Sequence, residues 1–140
     1  PHISGFKHFN VSHSGDLVML VMSDYTDLIG VDVEKYAKLS YHDIMNVFHA
    51  KEIEYIENQN HNLGIYDIWT KKEALFKAVG TGINGDFQSA NCVPDQIAYG
   101  NRSWHFLKID IHLNYSCHIC FENKLDVIEY QLVKSILELV

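Results

Sequence analysis

Basic residues are scarce in this 140-residue sequence: 11 Lys and Arg stand against 18 Asp and Glu, a formal charge of −7. A nucleic-acid binder, or a protein resting on an anionic membrane, needs a basic face, so neither class is expected. Long apolar runs are missing as well. None approaches the ~20 residues of a membrane-spanning helix, and no signal-peptide pattern opens the chain. Cysteine is limited to Cys92, Cys117 and Cys120, an odd number in a chain large enough to fold without disulfides. A reducing, cytoplasmic setting is expected. Cys117-His118-Ile119-Cys120 invites a zinc reading, but the run alternates like a strand. Positions 117 and 120 then point to opposite faces, and buried or half-buried thiols are expected instead. Repeats and low-complexity tracts are absent. No initiator Met precedes Pro1, so a processed or trimmed piece is expected.

What the sequence does hold is 47% hydrophobic residues, enough for the core of one domain over 1–140. Ile65, Ile68, Leu75, Phe76 and Val79 fall on one helical stripe, with Gly80 placed as the C-terminal cap. Lys72 lies in the middle of that stripe, and Glu73 and Lys77 run along its edge. A helix built for packing alone would place Leu or Ala at 72, because a buried ammonium costs several kcal/mol unless a counter-charge meets it. Lys72 either snorkels to solvent or has a polar task inside.

Before this helix, Pro1 to Lys7 reads as a connector. Phe9 to Asp16 reads as a short strand entering a polar turn, where Ser12, Ser14 and Gly15 could cradle a phosphate with help from His13, or simply cap the turn. Leu17 to Ser23 is an apolar strand, followed by a turn over Asp24 to Asp27. In Ile29-Gly30-Val31-Asp32-Val33-Glu34 the alternation puts Ile29, Val31 and Val33 on one face. Asp32 and Glu34 share the other, about 7 Å apart along the strand. That pair is either a solvated strand face or part of a Mg²⁺ site, which takes one or two carboxylates and completes its shell with water and substrate phosphates. Two short helices are expected between Ser40 and Asn58, the first capped by Ser40 and the second starting near Lys51, with a loop from Asn58 to Asn62.

After Gly80 a glycine-rich turn runs to Asp86. The tail reads as antiparallel strands over Phe87–Cys92, Ile97–Tyr99, Trp104–Leu113 and Tyr115–Phe121, with turns at Gly100-Asn101 and Asn114. His105, His112 and His118 read as ordinary sheet residues, and Tyr130 to Leu139 as a closing helix. The expected fold is α+β, an antiparallel sheet against one long helix and two shorter ones. If that helix crosses the sheet, Asp32, Glu34 and Glu73 can hold one Mg²⁺ while Lys72 and Lys77 neutralise a diphosphate. Such a site serves phosphoryl-group transfer. A metal-dependent nuclease is the competing class, but Lys35 directly follows Glu34, and the acidic-x-Lys spacing of that class is lacking.

Three stretches carry a family resemblance: Phe9-Asn10-Val11-Ser12-His13-Ser14-Gly15, Ile29-Gly30-Val31-Asp32-Val33-Glu34, and Trp69-x-x-Lys72-Glu73-Ala74-x-x-Lys77 with Gly80-x-Gly82 behind it. In order and spacing they resemble the second half of the 4′-phosphopantetheinyl transferases of the surfactin-synthetase-activating type. The resemblance implies Mg²⁺-dependent transfer of phosphopantetheine from coenzyme A to a serine of an apo acyl or peptidyl carrier protein. It implies a metal held by Asp32, Glu34 and Glu73, with Glu73 also the candidate base. It places Lys72 and Lys77 at the coenzyme's phosphates, and His13, beside Ser12, at its 3′-phosphate. The resemblance further implies a cleft between two similar halves, of which this chain matches the second. A homo-oligomer or a preceding half would complete it. The alternative is a non-catalytic half that binds coenzyme A weakly or serves in assembly.

Overall fold

Residues 8–24, 28–38, 44–82 and 86–122 are described by the structure, a computed structural model. Strand β1 (His8–Ser14) and β2 (Leu17–Ser23) form a hairpin turned at Gly15, whose φ is 56°. Strand β3 (Ile29–Lys35) enters a second sheet. Helix α1 (Ala50–Glu57) and the long helix α2 (His61–Val79) follow, then β4 (Gln96–Tyr99), β5 (Arg102–Lys108) and β6 (Tyr115–Glu122). The second sheet has the order β3-β6-β5-β4, antiparallel throughout. The architecture is α+β, as the residue pattern implies. Of the two short helices expected between Ser40 and Asn58, α1 is the second; the first falls on residues 39–43, outside the described residues, which resume at Ile44 before a 3₁₀ turn at Met45–Val47.

The sheet is buried on both faces because its alternating residues serve two partners. Ile29, Val31, Val33, Cys117, Ile119 and Phe121 pack toward Leu17, Met19 and Val21 of the hairpin. On the other face Trp104, Phe106 and Cys120 pack beneath α2, against Ala74, Leu75, Phe76 and Ala78. Cys117 and Cys120 therefore lie in different clusters, both buried as free thiols. Helix α2 reaches the sheet most closely at Gly30: a Cβ there would stand 2.1 Å from the Ala74 carbonyl oxygen and 2.7 Å from Ala78 N. Only glycine lets the two backbones meet so closely, and this contact sets the height of α2 above Asp32 and Glu34.

Local boundaries follow capping and turn chemistry. Helix α1 opens on a capping box. His49 accepts from Lys51 N, and the Glu52 side chain accepts from His49 N at 2.7 Å. Helix α2 starts at His61, inside the expected loop, and ends on Gly80 in the left-handed conformation with φ 86°. Gly100 and Asn101, with φ of 58° and 62°, turn β4 into β5.

The expected strand over Phe87–Cys92 is not formed. Phe87–Ser89 is a 3₁₀ turn, and the backbone groups of this stretch serve other partners: the Phe87 and Ala90 carbonyls accept from Lys72, and Cys92 N donates to Glu52 at 2.7 Å. Strand β5 ends at Lys108, short of the expected Leu113. The Ser40 cap, residues 25–27 of the Asp24–Asp27 turn, the Pro1–Lys7 connector, residues 83–85 of the glycine-rich turn and the closing helix fall outside the described residues.

Candidate functional site

Asp32 is carried on β3 and faces α2. Its Oδ1 accepts from Lys77 Nζ at 2.7 Å and from Ser12 Oγ at 2.8 Å, while Lys77 also reaches the Val31 carbonyl at 3.1 Å. Lys77 is four residues from Glu73 on the helix, yet the ion pair it makes is with the strand. Two residues along β3, Glu34 accepts from Ser14 Oγ at 2.8 Å. Glu73 projects from α2 into the same region, where it feels the charges of both strand carboxylates.

Two buried carboxylate oxygens, Asp32 Oδ2 and Glu73 Oε1, have no hydrogen-bond partner. Orphaned acceptors of this kind are rare in a finished core and mark a place where a cation or donor is to be met. Burial pushes all three carboxyls above their ordinary values, with repulsion from Asp32 adding at Glu34 and Glu73 and repulsion from Glu34 adding at Glu73, against the pull of Lys77. One ammonium faces three carboxylates, so a net negative charge is held in a half-buried place.

In kind, the donors suit a hard divalent cation, since all are carboxylate oxygens and two are unpartnered. They are not gathered at ligand geometry: among the described residues no three His, Cys, Asp or Glu side chains converge to hold a metal ion. Lys77 and Ser12 occupy Asp32 Oδ1, and Ser14 holds Glu34.

The hairpin supports this place in a way the sequence reading missed. Asn10 Oδ1, Ser12 Oγ and Ser14 Oγ accept from the backbone N–H groups of Val31, Val33 and Lys35, at 3.1, 3.3 and 3.0 Å. Three side chains at period two thus cover the outer edge of β3. The signal was present in Asn10-x-Ser12-x-Ser14, which has the parity of Asp32-x-Glu34.

This corrects the reading of Ser12 as a phosphate ligand. Its hydroxyl is buried, donates its one proton to Asp32 and accepts from Val33 N. His13 lies on the opposite, exposed face of the hairpin, away from the carboxylates.

Lys72 is corrected as well. Its ammonium is wholly buried, paired with Glu52 at 2.9 Å, and donates to the carbonyls of Phe87 and Ala90. All three protons have acceptors, so Lys72 ties α1, α2 and the 87–90 turn together and offers nothing to a phosphate.

His118, read as an ordinary sheet residue, is a buried junction. Its Nδ1 is 2.7 Å from Thr70 Oγ1, which also meets Ser116 Oγ at 3.0 Å, so α2 is fastened to β6 one turn before Glu73. His118 stands opposite Asp32 in the β3–β6 register. A polar hollow of about 480 Å³ lies beside it, lined by Tyr55, Asp67, Lys71, Asp95 and Lys108. There Lys71 pairs with Asp95 and Lys108 with Asp67.

The family model of the 4′-phosphopantetheinyl transferase superfamily matches residues 28–128, and the chain belongs to that superfamily. It is 29% identical over 86 residues to the 4′-phosphopantetheinyl transferase gsp of Aneurinibacillus migulanus, covering 59% of this chain and 35% of that protein. A putative 4′-phosphopantetheinyl transferase of Synechocystis sp. is 33% identical over 93 residues, covering 63% and 37%. The L-aminoadipate-semialdehyde dehydrogenase-phosphopantetheinyl transferase of Schizosaccharomyces pombe is 34% identical over 92 residues, covering 56% and 36%. The chain spans a little over a third of the length of these curated relatives. Among solved structures, a holo-[acyl-carrier-protein] synthase of Thermotoga maritima aligns at a TM-score of 0.47 and 18% identity, over 69% of this chain and 63% of that one.

Proposed function

We propose that this chain forms the carboxylate-bearing part of an enzyme that moves 4′-phosphopantetheine from coenzyme A to a serine of an apo acyl or peptidyl carrier protein. The observation that carries this reading is the meeting of Asp32, Glu34 and Glu73 around Lys77, with two buried carboxylate oxygens left unpartnered. A nuclease reading has no basic residue beside Glu34 on the same strand face.

Asp32, Glu34 and Glu73 would hold Mg²⁺, which supplies charge neutralisation at the diphosphate. Lys77 adds a second positive charge at the phosphates. Glu73, with a carboxyl more basic than usual, takes the proton of the carrier serine directly or through a water. A serine O–P bond forms, the P–O bond of the diphosphate bridge breaks, and the adenosine bisphosphate leaves. His13, exposed on the hairpin, is the residue offered to the coenzyme's 3′-phosphate.

Coenzyme A brings more negative charge than Lys77 and one Mg²⁺ balance, so a further surface completes the cleft, either a preceding half or a second copy. Supporting this, Val11, Val18, Leu20 and Met22 stand exposed on the same outer face as His13. The proposed setting is the cytoplasm; no helix among the described residues is long and apolar enough to cross a membrane.

The test is intact-mass analysis of an apo carrier protein incubated with the assembled enzyme, coenzyme A and Mg²⁺. Asp32→Ala and Glu73→Ala should each slow conversion at least about a hundredfold, as expected when a metal ligand or base is removed. Conversion by both variants at the unaltered rate rejects the assignment.

A further inference from the structure

Lys72 and Lys77 are five residues apart on one helix and are held in opposite ways. Lys72 has three acceptors and no exposure. Lys77 has two, the Asp32 carboxylate and the Val31 carbonyl, and its side chain remains 25% exposed at the last turn of α2. Both acceptors lie on β3, so releasing them breaks no hydrogen bond of the helix itself. Asp32 does not depend on it for position, because Ser12 donates to the same Oδ1 and β3 is fixed by β6.

The unpartnered oxygens Asp32 Oδ2 and Glu73 Oε1 are on carboxyl groups no more than 7% exposed, each within electrostatic reach of Lys77. A divalent cation drawn to them would repel an ammonium lodged on the neighbouring oxygen of the same carboxylate.

We propose that Lys77 is an exchangeable counter-ion: it neutralises Asp32 until a divalent cation takes that carboxylate, and the ammonium so released meets the anionic ligand. The proposal rests on the transferase reading and adds to it the order of events. Lys77 parks on Asp32, leaves for solvent when the carboxylates turn onto the cation, and is captured again by a diphosphate. The carboxylates thus stay separated and partly neutralised until both charged ligands are available.

The test acetylates the full chain briefly with a water-soluble amine reagent and reads each lysine by mass spectrometry, with Mg²⁺ binding followed in parallel by calorimetry. Lys77 acetylation should rise about tenfold on Mg²⁺ saturation, as a tenfold rise in the released population requires. Inorganic pyrophosphate added with Mg²⁺ should lower it again. Buried Lys72 should stay unreactive, and exposed Lys35 should react equally in all samples. Asp32→Asn should leave Lys77 reactive without Mg²⁺. Mg²⁺ binding with no change at Lys77 overturns the exchange and leaves the metal site standing. An absence of Mg²⁺ binding at millimolar concentration overturns both.

Discussion

Lys72 and Glu52 meet at 2.9 Å with neither side chain reaching solvent. Glu52 also caps α1 and accepts from Cys92 N, so one carboxylate joins a helix start, a helix interior and the turn behind the site. Removing one member leaves a buried charge alone. Lys72→Met should cost about 3–5 kcal/mol of stability. Pairing it with Glu52→Gln should return more than about 1 kcal/mol through coupling. Urea unfolding checks both; a Lys72→Met midpoint near wild type would mean that the ammonium is not structural.

Glu73→Gln should stabilise the metal-free protein while removing its response to metal. The folded carboxyls of Asp32, Glu34 and Glu73 stand above their ordinary values of 3.8 and 4.5. A raised carboxyl favours the fold below its ordinary value, and that contribution is lost as pH rises through the folded value. At neutral pH in EDTA, Glu73→Gln should therefore gain stability, because a neutral amide ends the repulsion by Asp32 and Glu34 and the penalty of burying a charge there. Thermal melting with EDTA and with Mg²⁺ decides: a variant that melts lower in EDTA, or still gains from Mg²⁺, counts against the site.

His118 has the opposite sign. Burial holds its imidazole down at about 4, from 6.5, with Asp67 and Asp95 opposing and Lys71 and Lys108 assisting. A depressed base favours the fold above its ordinary value and loses that contribution as pH falls. Between pH 6.5 and 4 the loss amounts to about 3 kcal/mol, at 1.36 kcal/mol per pH unit. The stability gap between wild type and His118→Gln should narrow by that amount over the interval. A nuclear magnetic resonance titration showing His118 protonated at pH 6 would contradict this.

The outer face of the hairpin is expected to be an interface. Val18 is 70% exposed, beside Leu20 on the same face. Val18→Lys with Leu20→Lys should leave stability within about 0.5 kcal/mol per site, as for surface changes. The double variant should abolish the association that sedimentation finds for the unaltered chain. If both chains sediment as monomers at every concentration, copies of this chain do not meet through that face.

Period and punctuation carried most of the fold. The stripe from Ile65 to Val79 with its Gly80 stop, and the alternation of β3 and β6, state their elements directly. The Phe87–Cys92 error arose because an alternating stretch says nothing of what its backbone will bond to, and here a buried ammonium drew the carbonyls away. The carboxylates were legible because Asp32 and Glu34 share parity. The place of Lys72 was not, since a helical wheel gives direction but not the identity of the charge met there. Glu52 and His118 stayed hidden for the same reason: their partners are 20 and 48 residues away in sequence.

The fastening of β1 to β3 has one more consequence. Asn10, Ser12 and Ser14 hold that edge by side chains, with no backbone ladder between the two sheets. Opening the hairpin while β3 keeps its pairing with β6 would break no ladder but would uncover the apolar face on which Leu17, Met19 and Val21 pack. Each such opening unseats Ser12 from Asp32 and Ser14 from Glu34 together. The packing of the hairpin on the sheet thus sets how much of the time the two strand carboxylates keep their hydroxyl partners.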